Sequence, residues 1–363
     1  MNAPSDDLAA IRNLLEPIRH PETGKSLVAS PDSLEVTRHG ETFEAVVRIE
    51  RYSAPLRERL EASCRERLEA GGGSIAGRGT VRVELRSAER PVPRLGQVGI
   101  TVKSVIAVGS GKGGVGKSTV SVGLAMALQK YGARVGLLDA DVYGPSVPTL
   151  TGVGGQPRIV DDKIEPLRSE GLPVMSMGLL VPATEAIIWR GPMLHQAVTR
   201  FVRDVAWGDL DYLIVDMPPG TGDVAITLSQ MLPIQGAVVV CTPQDVALAD
   251  AIKAVGMLRK VNVPILGVVE NMSGFVCPGC SRRYDIFGKG GAREYAEQEG
   301  LPLLGELPIT MAIRECGDAG AMWKLLDDPH QRPAFLSLAR ELVAVIASRN
   351  AAAPPRPSLP VLG

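Results

Sequence analysis

Gly111-Lys112-Gly113-Gly114-Val115-Gly116-Lys117-Ser118 has the spacing of a loop that holds phosphate. Glycines there let successive backbone N–H groups turn inward around phosphate oxygens with no Cβ in the way. A helix starting at the end of the loop adds its dipole and free N–H donors. Lys117 is placed to reach the β- and γ-phosphates and Ser118 to put its hydroxyl on Mg²⁺, with Thr119 next along the helix. Lys112 is a second cation directly after the first glycine. It is poorly placed to fold back onto phosphates that Lys117 already serves, so its expected role lies across a subunit interface, and the working unit is expected to be a dimer. The chemistry implied is nucleotide hydrolysis.

Two apolar runs end in carboxylates. Leu210 to Val215 leads into Asp216, where a hydrolase places the aspartate that holds the Mg²⁺ water shell. The next residues, Met217-Pro218-Pro219-Gly220-Thr221-Gly222-Asp223, combine stiffness with glycines, which suits a loop that changes position when the γ-phosphate leaves. Val135 to Leu138 leads into Asp139-Ala140-Asp141, and carboxylates at i and i+2 past a strand end point the same way. One is then available near Mg²⁺, and the other, assigned as Asp141, orients the attacking water. Asp139 alone has the competing reading of a cap for the following helix. Lys112, Lys117 and Asp141 form the expected catalytic group.

Cys277-Pro278-Gly279-Cys280 brings two thiols to one side of a tight turn. A tetrahedral zinc or a four-iron cluster needs four protein ligands, and His20, His39, His195 and His330 all lie far away in sequence. A symmetric dimer would present both cysteines twice at one axis. Structural zinc, a redox disulfide and cluster binding all use this spacing, although a thioredoxin-type role would want the pair earlier, at a helix start. Arg282 and Arg283 would lower the thiol pKa in any of these cases. Cys64, Cys241 and Cys316 have no close partner and read as ordinary small residues.

These groups need a scaffold. Strands are expected at Val102 to Val108, Arg134 to Leu138, Leu172 to Met177, Tyr212 to Val215, Gly236 to Val240 and Ile265 to Val269. Helices are expected at Thr119 to Lys130, near Ala292 to Gln298 and at 335–347. Apolar strands alternating with helices predict an α/β fold, a doubly wound and mostly parallel sheet with its ligand at the strand C-termini. Ahead of it, residues 1–90 read as a small α+β domain. Its helix at 6–19 is ended by Pro17, strands follow at Ser33 to Thr37 and Phe43 to Glu50, a helix runs from Ala54 to Ala70, and a strand covers Val81 to Leu85. Residues 91–101 read as a stiff linker around Pro91-Val92-Pro93, residues 102–350 as the nucleotide-hydrolase domain and 351–363 as a disordered Ala/Pro-rich tail.

The 363 residues carry a net charge of −1 and only 4% aromatics, so nucleic acid is not an expected partner. The first residues lack the basic start and apolar stretch of a secretory signal, and no run of about 18 apolar residues appears, so a cytoplasmic protein without membrane attachment is expected. The helix at 335–347 has too few basic residues for a membrane surface and is expected to dock on the core.

The phosphate loop with its second lysine, Asp139-Ala140-Asp141-Val142-Tyr143-Gly144-Pro145-Ser146, Asp216 to Asp223, Asn271-Met272-Ser273 and Cys277-Pro278-Gly279-Cys280 stand in this order. Together they resemble the Mrp/ApbC family of iron–sulfur cluster carrier ATPases over about residues 100–348. The cysteine pair separates that family from related partitioning and division-site ATPases. The resemblance implies a homodimer that holds a labile [4Fe-4S] cluster between subunits at Cys277 and Cys280 and receives it from, or passes it to, scaffold and apo-proteins. ATP binding and slow hydrolysis would control loading or release. It also implies that Lys112 acts across the dimer and that Asn271 reads the adenine. The alternative is a nucleotide-switched positioning or regulatory dimer whose cysteines hold structural zinc. Residues 1–90 resemble the metal–sulfur cluster assembly domain through Pro21-Glu22-Thr23-Gly24-Lys25-Ser26-Leu27-Val28, with Ala54 where that domain commonly has a cysteine.

Overall fold

The computed structural model describes residues 4–29, 31–40, 42–71, 79–86, 92, 94–95, 100–142, 144–179, 191–280 and 282–352. Pro91 and Pro93 of the expected linker and residues 353–363 of the expected tail lie outside them. The chain forms two compact units, Met1–Glu89 with Val343–Gly363, and Arg90–Leu342.

In the first unit, helix α1 (Pro4–Leu15) precedes an antiparallel pair, β1 (Leu34–His39) and β2 (Thr42–Ile49). Helix α2 (Arg57–Ala70) then carries the chain over to β3 (Gly79–Leu85), which lies parallel to β2, the crossover that a parallel pair requires. Alternation on β1 and β3 turns Leu34, Val36, Val81 and Val83 inward, against Ile11, Leu15, Leu60 and Leu68 of the helices. α1 stops at Leu15, short of the expected end, because Pro17 disfavours helical geometry in the residue before it. The turns ahead of α2, Arg51–Leu56, are 3₁₀ and contain Pro55, with Ala54 a buried methyl. Cys64 on α2 is fully buried, and that burial pushes its thiol up to about 12.

The second unit is built on one large sheet. Its strands are β4 (Arg94–Leu95), β5 (Ile100–Ser110), β6 (Val135–Asp139), a separate hairpin of β7 (Ile159–Val160) and β8 (Lys163–Ile164), β9 (Leu167–Ser169), β10 (Leu172–Ser176), β11 (Leu210–Asp216), β12 (Gly236–Cys241), β13 (Ile265–Val276), β14 (Arg283–Tyr284) and β15 (Leu303–Ile309). The order is β14-β13-β12-β5-β11-β6-β10-β9, with β15 beside β13 and β4 beside β5. β5, β6, β10, β11, β12, β13 and β15 run parallel, and β4, β9 and β14 join antiparallel. Every residue of β6, β10, β11 and β12 is buried, which explains why these strands read as continuous apolar runs rather than alternating ones.

The helices are α3 (Lys117–Lys130), α4 (Val147–Thr151), α5 (Gly191–Arg203), α6 (Asp223–Met231), α7 (Asp245–Lys260), α8 (Gly291–Gln298) and α9 (Met311–Asp318). The last helix, α10 (Arg332–Ala352), begins in this unit. Phe201, Trp207, Leu213, Val215, Val239 and Val255 belong to its core, where burying each such side chain contributes about 1.5–3 kcal/mol. The expected parallel α/β sheet is present. β13 runs on to Val276, well past its expected end at Val269, and β15 pairs along it where no strand was expected.

Candidate functional site

β5 ends at Ser110 and α3 begins at Lys117, so residues 111–116 form the turn between a central strand and a helix. Gly114 and Gly116 both have φ +80°, the left-handed region that only glycine enters at no cost. At Gly111 the requirement is space, since a Cβ there would overlap the backbone carbonyl of Asp250 on α7. No side chain caps the start of α3, so its first N–H groups remain for an anion. Ser110, Lys112, Lys117, Ser118, Asp141 and Pro219 are among the residues around a cavity of about 450 Å³ over this loop. Gly113 and Thr119 line it too, while Val115 is buried beneath.

Under the loop lies a compact charge cluster. Lys117 Nζ is 2.7 Å from Asp216 Oδ2 and 3.9 Å from Asp141 Oδ2. Ser118 Oγ donates to Asp216 Oδ2 at 2.6 Å, and Ser121 Oγ donates to Oδ1 at 2.6 Å. Ser121 was not among the expected site residues, although its place one helical turn after Lys117 puts it on the same face. The hydroxyl of Ser118 and the carboxylate of Asp216 form an oxygen donor set of the kind Mg²⁺ takes, usually with water and phosphate completing it.

Asp139 and Asp216 face each other in register on adjacent parallel strands. Asp139 was expected at the nucleotide or the metal. Its oxygens accept from protein donors: Asp141 N–H at 3.1 Å on Oδ1, and Val147 N–H at 3.3 Å and Ser176 Oγ at 2.9 Å on Oδ2. It holds the loop bearing Asp141 and the first residue of α4. Burial first, and then the neighbouring Asp216, push its carboxyl up to about 7. Asp141 is itself buried, and its Oδ1 accepts from Gly144 N–H at 3.1 Å.

The Pro-Pro loop follows β11 directly. Met217 N–H donates to the Val108 carbonyl at 2.9 Å and Gly220 N–H to the Ser110 carbonyl at 2.8 Å, which pins the loop against the end of β5. Asn271 was expected at the adenine. The structure places its side-chain amide on the phosphate loop, with Nδ2 donating to the Val115 carbonyl at 2.8 Å.

The cysteine pair sits at the tip of the hairpin formed by β13 and β14, closed by Cys277 N–H donating to the Arg282 carbonyl at 3.0 Å. Cys280 is exposed and Cys277 half-buried. The backbone N–H groups of Cys280 and then Gly279, followed by the Cys280 thiol, point at the Cys277 sulfur and hold its pKa below the ordinary thiol value. Cys241, at the end of β12, is the opposite case, since burial pushes it up to about 12. Among the described residues no cluster of three or more His, Cys, Asp or Glu side chains is arranged to hold a metal ion. Val276, Tyr284 and Ile286 beside the cysteine pair are exposed apolar side chains.

A family profile, ParA, described as NUBPL iron-transfer P-loop NTPase, matches residues 101–343. The chain belongs to this family. The NUBPL-family chain is 45% identical over 358 residues to the iron–sulfur cluster carrier protein of Deinococcus radiodurans, covering 97% of this chain and 99% of that one. It is 49% identical over 252 residues to the mouse iron–sulfur cluster transfer protein NUBPL, covering 68% and 79% of the two chains. Among solved structures it is similar to an Archaeoglobus fulgidus nucleotide-binding protein in complex with ADP. That match has 39% identity and a TM-score of 0.56 and covers 63% of this chain and 90% of the other. As a member of this family it is a P-loop NTPase, and the loop, Lys117, Ser118 and Asp216 give that assignment its geometry. No helix among the described residues is long and apolar enough to cross a membrane.

Proposed function

We propose that this protein is an ATP-dependent iron–sulfur cluster carrier. Two copies hold a [4Fe-4S] cluster between them, through Cys277 and Cys280 of each, and pass it to apo-proteins in the cytoplasm. The observation that carries the reading is the hairpin pair: two accessible thiols, one already biased toward thiolate, with no further ligands gathered around them among the described residues. Such a pair needs a second pair, and a second copy supplies it. The chain's likeness to cluster carrier and cluster transfer proteins favours this over structural zinc.

The nucleotide end is argued from the residues in the cavity. The N–H groups of the loop and the start of α3 bind phosphate oxygens, and Lys117 exchanges its carboxylate partners for phosphate. Ser118 and Asp216 would hold Mg²⁺, which when bound neutralises phosphate charge. Asp141, within reach of the cavity, orients the attacking water. Lys112 reaches the nucleotide of the partner copy, so that hydrolysis depends on dimerisation.

The test is transfer. Reconstituted protein is mixed anaerobically with an apo-enzyme that needs a [4Fe-4S] cluster, and the activity of that enzyme is followed with and without ATP. Activation dependent on Cys277 and Cys280 and altered by ATP supports the proposal. Activation by free iron and sulfide alone, with none from the loaded protein, overturns it.

A further inference from the structure

The phosphate loop and the cysteine hairpin are joined by hydrogen bonds linked through two short stretches of chain, 271–273 and 282–283. The path starts at Val115, whose carbonyl accepts from Asn271 Nδ2 at 2.8 Å. That carbonyl and the N–H of Gly116 belong to one planar peptide group. Turning the Gly116 N–H toward a phosphate therefore rotates the oxygen that Asn271 holds. Gly116, at φ +80°, permits such a rotation at low energy, and a Cβ there would overlap the amide of Asn271.

The next residue, Met272, has φ +59°, a conformation that costs a non-glycine residue about 1 kcal/mol or more. The pairing of β13 with β15 slips between Asn271 and Phe275, so this stretch is not held as a regular ladder. Side chains hold it instead. Ser273 Oγ donates to Glu270 Oε1 at 2.7 Å, and the buried Glu270 carboxylate also accepts the N–H groups of Gly290 at 3.3 Å and Ala292 at 2.9 Å, which anchors it to the start of α8. Arg283 Nη2 donates to the Ser273 carbonyl at 3.1 Å and to its Oγ at 3.4 Å, while Nε donates to Asp285 at 3.0 Å. Arg283 lies opposite Val276 on the far strand of the hairpin, adjoining the Arg282 carbonyl that binds Cys277 N–H.

We infer that Arg283, acting through Ser273, is the positioning residue that makes the Cys277 and Cys280 loop respond to the phosphate loop. The irregular segment at Met272 is the element both ends bias: Asn271 moves with the nucleotide peptide, and Arg283 converts the position of Ser273 into the position of the hairpin strand. The inference rests on the carrier reading only for what the thiols hold, since the coupling itself requires a nucleotide and a hairpin.

The experiment is the rate of iodoacetamide alkylation of Cys277 in the full-length, cluster-free protein at fixed pH, read by mass spectrometry without nucleotide, with Mg·ADP and with Mg·ATP. Wild-type protein is expected to change rate by about fivefold or more on nucleotide binding, the lower range of allosteric couplings. Arg283→Ala is expected to bind ATP with unchanged affinity and to respond by less than about twofold, while Arg283→Lys recovers part of the response. Arg283→Met, which keeps the length of the side chain but none of its donors to Ser273, serves as the second uncoupling variant if Arg283→Ala fails to fold. An undiminished response in either uncoupled variant, or none in nucleotide-bound wild type, overturns the inference. Failure of wild-type protein to take up iron and sulfide while the nucleotide response is intact would overturn the carrier reading alone and leave the coupling standing.

Discussion

Lys117 makes a buried ion pair with Asp216, Nζ to Oδ2 at 2.7 Å, and Ser118 and Ser121 occupy the same carboxylate. The lysine assigned to phosphate is thus also the counter-charge of the carboxylate assigned to the metal. Lys117→Ala is expected to lower ATP turnover by about 10²–10³-fold, as removing one preformed electrostatic donor does. It is also expected to lower unfolding free energy by about 3 kcal/mol, because Asp216 is left buried with hydroxyl donors alone. Steady-state hydrolysis and urea denaturation measure the two effects. Cluster uptake should persist, since the sulfur ligands lie elsewhere on the chain.

Much of this was legible in the residues, for identifiable reasons. The loop from Gly111 to Ser118 is set by local backbone geometry, and the strands behind Asp139 and Asp216 are apolar runs that a buried parallel sheet requires. What stayed hidden depends on contacts distant in sequence. Asp139 shares its strand-end position with Asp216 but meets Val147 and Ser176, and only the fold shows that its oxygens are engaged. Asn271 meets Val115 across a gap of 156 residues. The contacts of Glu270 and Arg283 with Ser273 show in no spacing, and the continuation of β13 to Val276 depends on pairing with β14 and β15 rather than on its own composition.

Asp139 gives stability a pH dependence of defined sign. Its folded carboxyl holds a proton up to about pH 7, whereas an unfolded aspartate releases it near about 3.9. Between those values the native state binds more protons than the unfolded one, so stability falls as pH rises through the window, by at most about 1.4 kcal/mol per pH unit from this group. Above the folded value the contribution is constant. Asp139→Asn should flatten the dependence between pH 5 and 7, and urea titrations of both proteins across that range measure it. Equal slopes would place the proton on another group.

Gly111→Ala introduces a methyl group where the carbonyl of Asp250 already stands. Overpacking of this kind typically costs about 1–3 kcal/mol, and the displaced backbone is the first residue of the phosphate loop. The melting temperature and the ATP affinity should fall together. Gly113→Ala, with open space around its Cβ position, is expected to be milder in the melt.

Thiol chemistry should divide the cysteines by environment. In the cluster-free native protein Cys277 and Cys280 react readily with iodoacetamide, while Cys64 and Cys241, buried and pushed up to about 12, react only after unfolding. Peptide mapping after brief and exhaustive alkylation measures this. Protection of Cys277 in the native protein would contradict the environment assigned to it.

The central claim is that two copies share one cluster through Cys277 and Cys280. Anaerobic reconstitution with iron and sulfide, followed by the visible spectrum, the mass of the loaded species and metal and sulfide counts, tests it most directly. The account predicts a dimer with about four irons and four sulfides and a broad thiolate-to-iron charge-transfer band, all lost in the Cys277→Ser, Cys280→Ser double variant, which still binds ATP. Stoichiometric zinc without sulfide, or a cluster retained in the double variant, would contradict it.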